Sequence, residues 1–394
     1  MSSALQSAFV GQQIPGSRHT THHARRVLSA TPQLRRSSSR LRPLQPRAMG
    51  SGELPMGYGA SSSQTFTVDM AGTGMDHIGQ TGKVTVVGCG AVGMACASSI
   101  VSRNLCNKLM LIDYFAAKAK GEAMDLEHGS AFFSARMDIN SSGDMLDARG
   151  SDVIVITAGA RQQEGESRLS LIGRNMDIFK TIIPPLVQSS PNAILIIVSN
   201  PCDILTYAAW KISGLPLNQV FGSGTNLDSS RLKHMLALEA GVSESSVEVH
   251  VIGEHGDSSV ACFAAGSIAG IPLTRYMTTK YPDRSTREWN EIREDMHRQV
   301  VNSAGDVIAL KGYTSWAVGY SVANIIHAIK NNTKSVKPVS ICAKGMHGIE
   351  EEVFLSLPCV LGRSGMEEIC PEQVLSAEEV LKLHKSVKAL KSIQ

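Results

Sequence analysis

No apolar run in this 394-residue chain approaches the roughly 18 residues of a membrane span, so no membrane role is expected. No Cys-x-x-Cys pair occurs either. The eight cysteines are scattered without metal-like spacing, and reduced, mostly buried thiols are the expectation, with no metal site. Internal repeats are missing. Acids are missing from residues 1–50, which carry eight arginines; the rest of the chain holds 30 basic against 35 acidic residues, a net of −5 behind the formal +3. A mildly acidic body offers nucleic acid nothing to bind. With 43% hydrophobic and 19% charged residues, the composition is that of a soluble globular protein with a sizeable core. The length allows about two domains.

The arginines of the first segment (Arg18, Arg25, Arg26, Arg35, Arg36, Arg40, Arg42 and Arg47) sit among many serines, behind an uncharged, mildly apolar start. Such a composition describes an organellar transit peptide with a flexible arm, here residues 1–75. The serine-rich, uncharged beginning favours plastid over mitochondrion; a cytoplasmic location is expected only if the extension is not a working transit peptide. His19, His22 and His23 belong to this segment and are not read as a metal cluster.

What is present is organised around residues 83–113. Residues 84–87, Val-Thr-Val-Val, are a β-branched run bounded by glycine and read as a buried parallel strand. Gly88, Gly90, Val92 and Gly93 follow in one six-residue turn, then a helical pattern at 94–101. A second apolar run at 109–112 ends on Asp113. A lone glycine motif says little. Between a strand and a helix, with an acid twenty residues past its last glycine, it is a dinucleotide-binding fingerprint. Gly88 serves the tight turn, Gly90 the approach of a pyrophosphate, and Gly93 the packing of helix on strand. The free N–H groups of the helix start favour phosphates. A carboxylate at Asp113 can accept both ribose hydroxyls and would repel a 2′-phosphate, so NAD is expected over NADP.

Further along, strands are expected at 136–140, 151–157, 193–198 and 220–222, alternating with helices at 118–129, from the polar stretch 160–167 through about 189, and at 203–212. That alternation predicts an α/β fold, a Rossmann-type doubly wound parallel sheet over 80–222. A mixed α+β substrate domain over 223–394 follows. Its helices are expected at 228–240, 287–310, 314–330 and 377–393, and its strands at 247–252, 338–342 and 353–360. The helix at 314–330 is expected to pack back on the first domain.

Ligands of an open α/β sheet bind outside the carboxyl ends of its strands. That rule gathers Gly88, Asp113, the segment 159–168 and Asn200. Three more features add reactive groups: His255 between glycines after a strand, Asp228 and Arg231 three apart on one helix face, and Arg168 at the end of a glycine-containing candidate lid. Taken singly, each is more often structural than functional.

Together the motifs resemble the lactate/malate dehydrogenase family, and within it the L-lactate dehydrogenases, with wording similar to that of green-plant forms. The resemblance runs from about residue 83 to the C-terminus. It rests on 88–93, on Gly-Glu-Ala-Met-Asp-Leu at 121–126, on Thr-Ala-Gly-Ala-Arg-Gln-Gln-Glu-Gly-Glu-Ser-Arg at 157–168 and on Ser-Asn-Pro at 199–201. It continues through Gly-Ser-Gly-Thr-Asn-Leu-Asp at 222–228, Gly-Glu-His-Gly-Asp-Ser at 253–258 and Lys-Gly-Tyr-Thr-Ser-Trp at 311–316. Two departures, Cys202 and Val318, touch no charged role.

The resemblance implies reversible NAD-dependent oxidation of L-lactate to pyruvate. His255 would carry the proton and Asp228 would orient its ring. Arg231 would hold the substrate carboxylate through two parallel bonds. Arg168 would polarise the carbonyl, with Asn200 donating to the same oxygen. Arg161 would contact the pyrophosphate, and Gln162 and Thr314 would flank the substrate's C3 group. Malate dehydrogenases carry arginine at the Gln162 position, which makes them the runner-up; a non-catalytic protein on the same scaffold is the other alternative. Relatives are commonly homotetramers, so a homo-oligomer is implied. Some bacterial relatives hold fructose 1,6-bisphosphate with basic residues across a subunit interface; here Lys233 and Glu248 stand at those positions, and no activation is expected.

Overall fold

The computed structural model describes residues 82–160 and 168–394, residues 168 and 169 by backbone alone. The expected arm at 1–75, Arg161, Gln162 and the side chain of Arg168 lie outside the described residues.

The first half alternates β1 (Lys83–Val87), α1 (Ala91–Ser102), β2 (Lys108–Ile112), α2 (Ala116–His128), β3 (Asp138–Ser142), β4 (Val153–Ile156), α3 (Arg168–Ser189), β5 (Ile194–Ile197), α4 (Cys202–Ser213) and β6 (Val220–Gly222). The six strands are parallel, in the order β3-β2-β1-β4-β5-β6. Strands β4 and β5 are buried at every residue, and β1 at all but its first. Helices cover both faces of such a sheet, which is why these strands are unbroken Val/Ile/Leu runs. The strand order reverses between β1 and β4, so their carboxyl ends open a crevice.

The second half runs α5 (Asn226–Ala240), β7 (Val247–Glu248), β8 (Val251–Ile252), β9 (Val260–Ala261), β10 (Ser267–Ile268), β11 (Ile271–Pro272), α6 (Leu273–Lys280), α7 (Thr286–Lys311), α8 (Trp316–Lys330), β12 (Ser335–Cys342), β13 (Phe354–Gly362), β14 (Gly365–Ile369) and α9 (Ala377–Lys391). Two features differ from the sequence expectation. The run at 247–252 is not one strand: β7 pairs with β10 and β8 with β9, in separate small sheets. Periodicity alone cannot show that a chain changes partner between two apolar dipeptides. The strands near 338–342 and 353–360 also do not form a sheet apart. Strand β12 pairs antiparallel with β6 through Ser340 and Gly222, so β12, β13 and β14 extend the parallel sheet to nine strands. The expected boundary at 222/223 therefore crosses one continuous sheet.

Two helices set the crevice. A capping box between Ser285 and Glu288 starts α7, and Gly312, at φ +86°, ends it, which fixes where the following Thr314 emerges. Helix α8 then lies against α1. A β-carbon on Gly319 would stand 2.4 Å from the Ala95 carbonyl oxygen, so only glycine permits the approach.

Candidate functional site

At the nucleotide end, the geometry answers to the glycine spacing. Gly88 takes φ +99°, with Ala158 of the neighbouring strand end close against it. A β-carbon on Gly93 would lie 1.8 Å from the Gly88 carbonyl oxygen, so the α1 helix can meet β1 only as glycine. A β-carbon on Gly90 would meet nothing within 4 Å, and it would intrude into the open space before α1. Gly90 is the N-cap of α1 and no side chain caps that end, which leaves its N–H groups aimed outward. Val92, half-buried, follows in the first turn. Asp113 is held from behind: its carboxylate accepts from Cys89 N–H at 2.7 Å and Phe115 N–H at 2.9 Å. A cradle bare of side chains, uncapped amides and a fixed carboxylate together fit a dinucleotide.

The rim of the crevice is tied by residues that sequence reasoning passed over. Thr157 donates to the carbonyl of Gly88 at 2.8 Å, and Ser199 to that of Ala158 at 2.6 Å. Asn175 is fully buried; it accepts from Ala160 N–H and donates to the Asn200 carbonyl, so it clamps both rims of the crevice. Asn200 itself is exposed on that rim.

The reactive cluster comes from α5 and the loop after β8. Thr225 donates to the Val251 carbonyl, and Val251 N–H donates to Ser229 Oγ at 2.8 Å, which fastens the first turn of α5 to β8. That seam brings Asp228 to His255. Asp228 Oδ2 lies 2.6 Å from His255 Nδ1, and Asp228 Oδ1 accepts from Arg231 Nη1 at 2.8 Å. The Asp228 charge outweighs burial and lifts the imidazole to about 9, so the ring is a cation at neutral pH. Burial alone would raise the Asp228 carboxyl; His255 and Arg231 overcome it and hold the group below its ordinary value. A cavity of about 370 Å³ opens beside the cluster, bounded by Arg231, Ser303, Thr314, Trp316 and Val318. His255 is not among its lining residues.

Of the expected residues, the structure brings together His255, Asp228 and Arg231, sets Thr314 in the same cavity as Arg231, and gathers Gly88, Gly90, Val92, Gly93 and Asp113 at the start of α1. Among the described residues no group of His, Cys, Asp and Glu could hold a metal, and no helix is long and apolar enough to cross a membrane. All eight cysteines are free thiols. Cys202 is buried and burial pushes it up to about 12, which makes it inert.

Comparison with known proteins agrees along the whole described chain. Residues 82–222 match the NAD binding domain of the lactate/malate dehydrogenase family, and residues 225–394 its alpha/beta C-terminal domain. An L-lactate dehydrogenase B chain of Caiman crocodilus apaporiensis is 49% identical over 312 residues, 79% of this chain and 92% of that protein. An L-lactate dehydrogenase A chain of Cyprinus carpio is 50% identical over 316 residues, 80% and 93% of the two chains. Among solved structures, a lactate dehydrogenase from a Medee basin deep-sea metagenome library superposes with a TM-score of 0.75 at 35% identity, covering 80% of this chain and 98% of that one. A nucleotide cradle at the switch point, a charged histidine–aspartate pair beyond it and these matches lead to one conclusion: the chain belongs to the lactate/malate dehydrogenase family.

Proposed function

We propose that this protein catalyses the reversible oxidation of L-lactate to pyruvate with NAD, and that His255 carries the proton. The observation that carries the reading is the Asp228–His255 pair, Oδ2 to Nδ1 at 2.6 Å, with Arg231 on the same carboxylate. NAD, when bound, would supply the hydride acceptor; residues 88–93 and Asp113 would hold it, with Arg161 the pyrophosphate contact that the family resemblance implies. In pyruvate reduction the charged His255 ring, the form that Asp228 favours, gives its Nε2 proton to the carbonyl oxygen; in lactate oxidation the neutral ring, which has first released that proton, takes the hydroxyl proton at Nε2. Asp228 keeps the Nδ1 proton in place, which fixes Nε2 as the reacting nitrogen. Arg231 holds the substrate carboxylate, while Arg168 and Asn200 stabilise charge that develops on the substrate oxygen.

Substrate choice rests on Gln162. A neutral amide at that position offers no partner to the second carboxylate of oxaloacetate, which disfavours the malate dehydrogenase reading. An NADH-absorbance assay of the purified chain with pyruvate and oxaloacetate side by side tests both readings. Preference for pyruvate is expected; preference for oxaloacetate would overturn the assignment.

The working form is read as a homotetramer, supported by large apolar side chains left exposed on the single chain, such as Phe132 and Leu310. The composition of residues 1–75 supports import into a plastid, in keeping with the green-plant wording. Fusing those residues to a fluorescent reporter in green cells tests it: plastid signal is expected, and diffuse cytosolic signal would reject import.

A further inference from the structure

Behind the histidine stands a second buried carboxylate that the reaction just described does not use. Asp203, the second residue of α4, is only 2% exposed. Its Oδ2 accepts from the main-chain N–H of His255 at 2.7 Å, and its Oδ1 from the Ser340 hydroxyl of β12 at 2.6 Å. The approach is built in. A β-carbon on Gly222 would meet Thr206 and Cys202 of α4 and Ser340 of β12 at 2.5–2.9 Å, so glycine there is what lets α4 and β12 come close enough for one carboxylate to reach both partners.

The other hydrogen bonds that hold the main chain at residues 253–255 come from neutral groups. Glu254 N–H donates to Ser386 Oγ of α9, and Gly253 bridges to Ser356 of β13. Asp203 alone among these anchors brings a charge, and it does so with two neutral donors and no cationic partner in the hydrogen-bond set. A buried carboxylate so placed is costly, and a hydroxyl or amide would accept the same N–H more cheaply. The charge itself therefore needs a reason, and the cation that faces it is His255.

We propose that Asp203 is a positioning residue for the reaction: it fixes the main chain of His255 and, with Asp228, forms a pair of buried anions that keeps the ring charged. The inference rests on the proton-carrier reading of His255. The groups facing the ring are Asp228 and Arg231 from α5 and Asp203 from α4; Glu254 adds its charge beside Asp203, and His297 of α7 faces Asp228. Strands β12 and β13 and helix α9 contribute hydroxyls there, from Ser340, Ser356 and Ser386. Burial pushes Asp203 up to about 6, against the bonds from Ser340 and His255, so at neutral pH it is an anion and near pH 6 it takes a proton.

The test is a pH profile of pyruvate reduction in the full-length enzyme and in Asp203→Asn. The amide keeps both bonds, accepting from His255 N–H and donating to Ser340 Oγ, but loses the charge. Its upper pH limb in kcat/KM should move down by about one pH unit, with the KM for NADH unchanged. An upper limb that coincides with the parent's, in a folded variant, would overturn the proposal. If Asp203→Asn does not fold, the histidine-ring NMR of the unmodified protein decides. His255, assigned by loss of its signal in His255→Asn, should show a second, smaller inflection near pH 6, and Ser340→Ala should move that inflection upward. A single inflection would overturn the proposal. A protein that reduces no pyruvate would instead reject the proposed function, and the NMR arm would still decide Asp203.

Discussion

At the scale of single residues, the site is an electrostatic device, and its pH dependence has a definite sign. His255 is lifted from 6.5 to about 9 in the fold, chiefly by Asp228. A raised folded value means that the pair stabilises the protein fully below about pH 6.5. That contribution fades as pH rises toward 9. Asp228 acts oppositely: its lowered value contributes stability above the ordinary carboxylate range, lost as pH falls through the folded value. Asp228→Asn should remove both effects. The imidazole then returns toward its ordinary value and loses its orienting partner, so pyruvate reduction at neutral pH should fall by about 100-fold or more in kcat/KM. Stopped-flow turnover and thermal melts across pH 6–9 would check it; a variant whose stability still declined over that range like the parent's would show that the pair is not the cause. Gln162 makes the second residue-scale prediction. A charge-assisted bond to the second carboxylate contributes about 1.5–3 kcal/mol, roughly 10- to 100-fold, and an unpaired desolvated carboxylate costs more. Gln162→Arg should therefore shift the pyruvate-to-oxaloacetate ratio toward oxaloacetate by at least about 100-fold, with NADH binding nearly intact. A shift below about tenfold would move the discrimination to other residues.

At the scale of elements, legibility followed burial. Strands β4 and β5 and most of β1 are buried on both faces, and their apolar, β-branched runs are too short for helices, so they read as strands, while the glycine spacing before α1 points to the cofactor. Asp228 and Arg231 were legible because α5 shows both on one face. Strand β14, Gly-Met-Glu-Glu-Ile, is not legible in the sequence because an edge strand facing water on one side needs no apolar run. Helix α6 is short and mostly polar, and β9 to β11 are dipeptides, too short to show the alternation that marks a strand. Asp203 escaped for a different reason. An acid in the first turn of a helix is what the helix dipole favours anywhere, and only the fold shows its buried contact with His255. Gly319 connects element packing to the site. A β-carbon there would press on the Ala95 carbonyl and push α8 off α1, and α8 begins just after Thr314. Overpacking of this kind costs about 1–3 kcal/mol. Gly319→Ala should thus lower Tm by several degrees and raise the KM for pyruvate together. An unchanged KM would uncouple the helix contact from the site. Where α5 meets β7, Lys233 already pairs with Glu248 at 2.9 Å. An anion arriving at Lys233 meets a carboxylate, so fructose 1,6-bisphosphate should leave the KM for pyruvate unchanged; a tenfold fall would show the pairing to be no barrier.

At the scale of the whole molecule, the exposed apolar side chains ask for a partner. Phe132 is 90% exposed, just past α2, with Tyr114 and Phe115 before that helix and Met124 on it. Leu310 is 89% exposed at the end of α7, with Ile308, Trp316 and Tyr320 nearby in sequence. Scattered single hydrophobes are ordinary on a protein surface, but two groups of large side chains, one along α2 and its flanks and one where α7 leads into α8, fit surfaces that copies of a chain cover in assembly. Burying one such side chain contributes about 1.5–3 kcal/mol, and a carboxylate in its place would leave a charge in an apolar contact. The homotetramer proposed above predicts that the parent chain sediments as an assembly of four, and Phe132→Asp as a smaller species whose Tm rises with protein concentration. Because Phe132 lies outside the catalytic cluster, the variant's residual turnover per chain also reports whether assembly supports the site from a distance. A parent that sediments as a monomer, or a variant that keeps the parent's mass, would show that these side chains do not join copies of this chain.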